Sequence, residues 1–171
     1  KRPSKDGTKI KKALAYPNVK AAAMSLIKQK LTGNTLIFDR DTCYLLEGAW
    51  KPGGYNDKDY EYKIVEVPRD KTVTRTNHGV MLDWAGYQRV DGDENQTQSR
   101  ISSESRRFIA DKVVNEAQTP EEIIDGLAGT YVDNPQLNVL RTADKNKQMR
   151  TTSQIMIIPE EKTFFIRPVQ S

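Results

Sequence analysis

The chain has 171 residues, 29% of them charged and 36% hydrophobic, with a formal net charge of +4, a length that fits one domain of roughly 100–200 residues. No apolar run approaches the roughly 18 residues that span a bilayer, which excludes a membrane-spanning helix, and the apolar residues gather into periodic runs, which argues against a disordered chain. One cysteine, Cys43, and one histidine, His78, exclude an internal disulfide and a structural zinc site, and they fit the cytoplasm or another reducing compartment.

Residues 1–12 hold Lys1, Arg2, Lys5, Lys9, Lys11 and Lys12 against one acid, Asp6, and read as a flexible basic arm, with 13–171 as the folded domain. Such an arm binds nucleic acid or an acidic partner, or else is simply solvated. No aromatic side chains interleave with its lysines, which favours the solvated reading. The segment has neither an apolar h-region nor a small-residue cleavage site, so it does not read as a signal peptide.

Apolar residues at Val19, Ala22, Ala23, Leu26, Ile27 and Leu31 recur with the 3.6-residue period of a helix over 18–31, which Gly33 is expected to stop. Two strand-prone runs, 35–38 and 43–47, flank the polar turn 39–42 and predict a hairpin. Residues 51–58 are a loop by composition. A second hairpin is expected from 60–67 and 72–77 around the turn Pro68 to Lys71. The polar stretch 83–98, with Trp84 and Tyr87 in it, reads as a long covering loop.

Ser102 or Ser103 is the expected cap of a helix to about Glu116 that presents Phe108, Ile109 and Val113 on one face. Thr119, Pro120 and Glu122 then form a full helix-start signal, with the helix ending near Gly126 or Gly129. After a loop over 133–148, runs 154–158 and 163–169 predict a closing hairpin. Hairpins, helices and a further hairpin define an α+β fold, antiparallel sheets with packed helices. The three hairpins are each too short to be stable alone, so they are expected to share one sheet.

Chemistry-bearing residues are few. Asn77, in the run Thr76, Asn77, His78, Gly79, lies where a strand is expected to pass into a loop, and its amide either donates to a developing oxyanion or bonds its own turn. His78 is a general base only if another group orients it; otherwise it is structural. Cys43 lies in an apolar run and reads as a small buried hydrophobe. Arg106 and Arg107 either fork onto a carboxylate or are solvated helix positions. No Gly-rich phosphate loop, carboxylate pair or metal-ligand spacing stands out, so no cofactor and no metal are expected.

The order of these short motifs is informative: Gly33 to Asp39, Cys43 to Glu47, Arg75 to Gly79, Ser102 to Arg107, and Arg150 to Gln154 entering a hairpin. The series resembles the later part of the N-terminal-nucleophile hydrolases of the acyl-CoA:6-aminopenicillanate acyltransferase type, related to the choloylglycine hydrolases. The resemblance implies a four-layer α-β-β-α sandwich acting on a small amide, with a Cys, Ser or Thr exposed by self-cleavage as nucleophile and its α-amine as base. It further implies that Asn77 helps stabilise the oxyanion and that Arg106 or Arg107 lies near the catalytic centre; His78 belongs to the same motif. Lys1 is not such a nucleophile, so an upstream chain is expected to supply it, within a homo-oligomer or larger assembly. The rival expectations are a non-catalytic subunit of the same fold and a basic nucleic-acid-associated protein.

Overall fold

The computed structural model describes residues 6–54, 56–141, 153–158, 161 and 163–168. The fold is α+β and divides into two compact units. The first falls within Lys1–Lys71 and Asn77–Gln88, the second within Thr72–Thr76 and Arg89–Ser171. The boundary expected after Lys12 falls inside what is the helix α1 (Asp6–Ala13). The segment expected as a flexible arm is therefore helical from Asp6 onward. Lys9 bonds Asp6 at 2.9 Å and donates to the Lys30 carbonyl at 2.9 Å, so this lysine serves the fold.

In the first unit, α2 (Val19–Lys28) follows the expected periodicity. Asn18 caps it, accepting from the Ala21 N–H at 2.8 Å and satisfying one of the four unpaired amides at a helix start. Its stop is not Gly33. Lys30 takes the left-handed conformation (φ 53°), its N–H bonds the Ile27 carbonyl, and the Leu31 N–H bonds the Leu26 carbonyl. This is a Schellman ending, sealed by the buried pair Leu26 and Leu31. Periodicity cannot reveal it, because lysine carries no left-handed preference.

Strands β1 (Gly33–Phe38), β2 (Cys43–Trp50) and β3 (Tyr60–Glu66) form an antiparallel sheet in that order. The first hairpin closes as expected, with Asp39 Oδ1 accepting from the amides of Asp41 and Thr42. Leu46 is fully buried and joins Ala13, Ala22, Leu26, Ile27 and Leu31 in the core on one sheet face. Tyr60 Oη donates to the Leu31 carbonyl at 2.7 Å, which ties the sheet to the end of α2.

The expected second hairpin does not form. Residues 72–76 form no strand and do not pair with β3, and they belong to the second unit. There the alternate threonines meet α3 (Glu94–Glu116). Thr72 donates to Asn115, Thr74 to Asp111 and Thr76 to the Ser103 carbonyl, while the Ser103 hydroxyl donates back to Thr76. Ser103, Asp111 and Asn115 lie on one helix stripe by their multiples of four. The period of two in the threonines is real, but it serves a helix seam instead of a ladder.

Helix α3 also starts eight residues before the earliest expected cap. Asp93 caps it, accepting from the Gln96 N–H at 3.0 Å. Ser102 and Ser103 are interior positions whose hydroxyls bond the Gln136 carbonyl and Thr76. Ile109 and Val113 are buried, whereas Phe108 is 73% exposed and does not share their face. Helix α4 (Pro120–Ala128) starts as expected, capped by Thr119, with Glu122 reaching back to the Gln118 N–H. Its Gly126 lies so close to Val113 that a Cβ would come within 2.6 Å of Val113 Cγ1.

Strands β4 (Ser153–Ile158) and β5 (Thr163–Pro168) form the closing hairpin, but as a separate two-stranded sheet. The single shared sheet expected from the sequence is thus overturned. The tip residues 159, 160 and 162 and the run 142–152 lie outside the described residues. Beside β4 is an apolar cleft of about 320 Å³, whose lining includes Ile123, Leu127, Ile155 and Met156.

Tyr60 gives this packing an alkaline signature. Burial pushes its phenol up to about 12 from an ordinary value near 10. A raised folded value means the native state holds the proton more tightly, so this stabilisation is complete below pH about 10 and is lost as pH rises toward 12. Urea titrations of the protein should show a fall in stability across that window, smaller in Tyr60→Phe. Gly48→Ala should cost about 2 kcal/mol or more at neutral pH, because its Cβ would collide with both the Leu31 carbonyl and Tyr60 Oη.

Candidate functional site

The sheet face opposite the α2 core carries Asn34, Leu45 and Glu47, since side chains alternate along a strand. Glu47 is 1% exposed. A buried carboxylate costs several kcal/mol unless its charge is met by donors, and the donors here are backbone amides. Val80 N–H reaches Glu47 Oε1 and Oε2 at 3.1 and 3.0 Å. Met81 N–H reaches Oε2 at 3.1 Å and Leu82 N–H reaches Oε1 at 2.8 Å. Three successive amides turned inward form a nest of the kind that binds anions. Here the anion is the protein's own side chain.

The nest sets the path of the loop around it. Gly79 N–H bonds the Ala85 carbonyl at 2.8 Å, Ala85 N–H the Leu82 carbonyl at 2.8 Å, and Tyr87 N–H the Asn77 carbonyl at 3.1 Å. His78 and Gly86 form an antiparallel bridge. Asn34 Nδ2 donates to the His78 carbonyl at 3.1 Å, fixing the same turn to β1. Gly79 has no room for a side chain: a Cβ would collide with the Leu82 carbonyl and sit 2.8 Å from Glu47 Oε1. Gly86 is left-handed (φ 70°), and a Cβ there would collide with the Asn77 carbonyl. Leu82, Ala85 and His78 are buried beneath. The expected covering loop over 83–98 is thus a packed turn at its start and helix at its end.

Asn77 is exposed on this fixed backbone, and His78, its neighbour, is only 3% exposed. The pair therefore splits: one side chain faces solvent and the other is core. Cys43 is partly buried on β2, and burial pushes its thiol up, away from a reactive thiolate.

Arg106 and Arg107 lie in the second unit, adjacent on α3 but engaged differently. Arg106 Nε donates to the Ser102 carbonyl at 3.2 Å. Arg107 Nε lies 3.5 Å from Asp111 Oδ2, the carboxylate that also accepts from Thr74. Both arginines are of intermediate burial, the Arg107 side chain 33% exposed. One turn away, Glu104 accepts from Arg100 at 2.7 Å and Arg89 at 2.6 Å, and these cations, Arg100 first, hold its carboxyl below the usual range.

The sequence candidates are Asn77, His78, Arg106 and Arg107. The nest is not among them, although it leaves a signal: Glu47 is a lone acid inside the run Leu45, Leu46, Gly48, Ala49. Among the described residues no group of three or more His, Cys, Asp or Glu is placed to hold a metal, and no helix is long and apolar enough to cross a membrane. No family model, curated protein or solved structure matches this chain.

Glu47→Ala should leave three amides without an acceptor and cost about 3–5 kcal/mol, read by chemical denaturation. Acetate or formate at tens of millimolar should restore part of that loss by occupying the nest, whereas chloride at equal ionic strength should restore much less.

Proposed function

We propose that this chain is the downstream part of an amidase or acyltransferase of the N-terminal-nucleophile type, cleaving linear C–N amide bonds with a nucleophile supplied by an upstream segment. The observation that carries this reading is the combination at Asn77: an exposed amide on a backbone held by the Glu47 nest, the Tyr87 amide and the bridge to Gly86. An oxyanion donor accelerates a reaction only if it is in place before charge develops. A fixed loop meets that requirement.

In the reaction we assign, the nucleophile's proton passes to its own α-amine as the nucleophile attacks the amide carbon. The carbonyl oxygen becomes an oxyanion and accepts from the Asn77 amide. Collapse expels the amine, which takes the proton from the α-ammonium, and water or a second amine then releases the acyl group. We leave His78, whose burial suits a structural part, outside the chemistry. The same reading makes the first unit one α-β half of a four-layer sandwich. In support, α2 covers one sheet face, while Leu36, Phe38 and Val65 on the other face are 42–48% exposed and suit burial by a second β layer.

One observation favours a second reading, a non-catalytic subunit of this fold: the amides of residues 80–82 are already taken by Glu47. Intact mass and N-terminal sequencing of the purified material separate the two, because the enzyme requires a co-purifying segment that begins with Cys, Ser or Thr. In that complete enzyme, Asn77→Ala should lower turnover by about 10²–10³ with little change in KM and an unchanged denaturation midpoint. Near-normal turnover would remove Asn77 from the mechanism.

A further inference from the structure

The β4–β5 ribbon has two chemically different faces. Gln154 and Arg167 are cross-strand partners on one face, and both reach α4: Gln154 Nε2 donates to the Ile124 carbonyl at 3.3 Å, and Arg167 pairs with Asp125 at 2.5 Å. On the other face Ile155 stands opposite Ile166, and Ile157 opposite Phe164. These four side chains are 64%, 58%, 56% and 65% exposed. Among the described residues of the ribbon, none that is charged shares that face. The three-stranded sheet differs, carrying Glu66 on one face and Glu47, Glu61 and Lys63 on the other.

We propose that this face is a homodimer interface, occupied by the same face of a second copy of the chain. Two arguments select that occupant. The first is charge: a partner surface bearing Lys, Arg, Asp or Glu would lose its water against four apolar side chains and gain no compensating group, a cost of several kcal/mol. A two-fold copy brings an uncharged face by construction, and such isologous contact sets these four side chains of each copy against the same four of the other. The second is area. At about 200 Å² for each whole residue, the exposed fractions give on the order of 500 Å² per copy and about 1,000 Å² for the pair, the lower edge of a specific interface. The dimer is therefore reversible and depends on concentration.

Sedimentation velocity of the full chain from about 1 to 200 µM tests this, and the weighted sedimentation coefficient should climb from monomer toward dimer within that range. The double variant Ile157→Thr, Phe164→Thr keeps strand-forming residues at both sites and should weaken the dimer at least about tenfold. Its far-UV circular dichroism should not change. Phe108→Thr, at a 73% exposed position on α3, should leave dimerisation as it is. If the double variant loses its dichroism, Ile155→Lys decides the matter by the same measurement. A monomer across the whole range, which would assign the face to a layer of the same molecule or to a foreign partner, overturns the proposal. So does a dimer of unchanged affinity in the face variants.

Discussion

Burying the Glu47 carboxylate commits the first unit to one arrangement of its longest connection. The charge sits in the middle strand of the sheet, 1% exposed, and the loop must bring it three amides or the strand cannot keep it there. Bringing successive amides to one point requires a tight turn, and that turn requires Gly79 where no Cβ fits. The turn in turn sets Ala85 under Gly79 and Gly86 against Asn77. Strand, nest, glycines and exposed asparagine are consequences of one electrostatic demand. Strain at any of them is felt at the others, since a network of buried polar bonds is stable only when all its members are satisfied.

The second unit meets a different constraint, the competition between two uses of one threonine segment. Thr72, Thr74 and Thr76 offer hydroxyls every second residue. Beside β3 they would have gained ladder bonds but met Tyr60–Glu66 as an exposed edge. Along α3 they find Asn115, Asp111 and Ser103 on a single stripe. Ser103 is fully buried there, so its hydroxyl needs a partner, and Thr76 is that partner. Hydrogen-bond demand of a buried helix position thus outweighs β propensity, which is a weak prior wherever tertiary context offers an alternative.

What the sequence makes legible follows from whether a signal is local. Asn18 and Thr119 cap helices through bonds to residues three positions on, so three or four letters suffice to read them. The turn at Asp39 is equally local. The start of α3 is misplaced by such reading because the serines of the run 102–105 imitate caps; their hydroxyls in fact bond Gln136, Leu137 and Thr76, 27–34 residues distant in the chain. The nest joins residues 33–35 positions apart, and the separate closing sheet reflects pairing that no short window contains. Of the candidate site, the position of Asn77 beside a turn is readable. Its division from His78, one exposed and one buried, is not, since it depends on which side of that turn meets the sheet.

The self-filled nest also narrows the chemistry open to this loop. Backbone amides are common donors for a developing oxyanion, because they are rigid and carry no side-chain entropy. Here the amides of residues 80–82 already hold a full negative charge, and adding a second anion beside it would be repulsive. An external oxyanion at this end of the sheet must therefore be met by a side chain, outside the nest. That is the part we propose for Asn77, because a neutral amide donates without altering the charge balance around Glu47. Its backbone is fixed through the carbonyl bonded by Tyr87. The nest then acts on the exterior by rigidity alone, turning the cost of one buried charge into a fixed origin for the group that faces solvent.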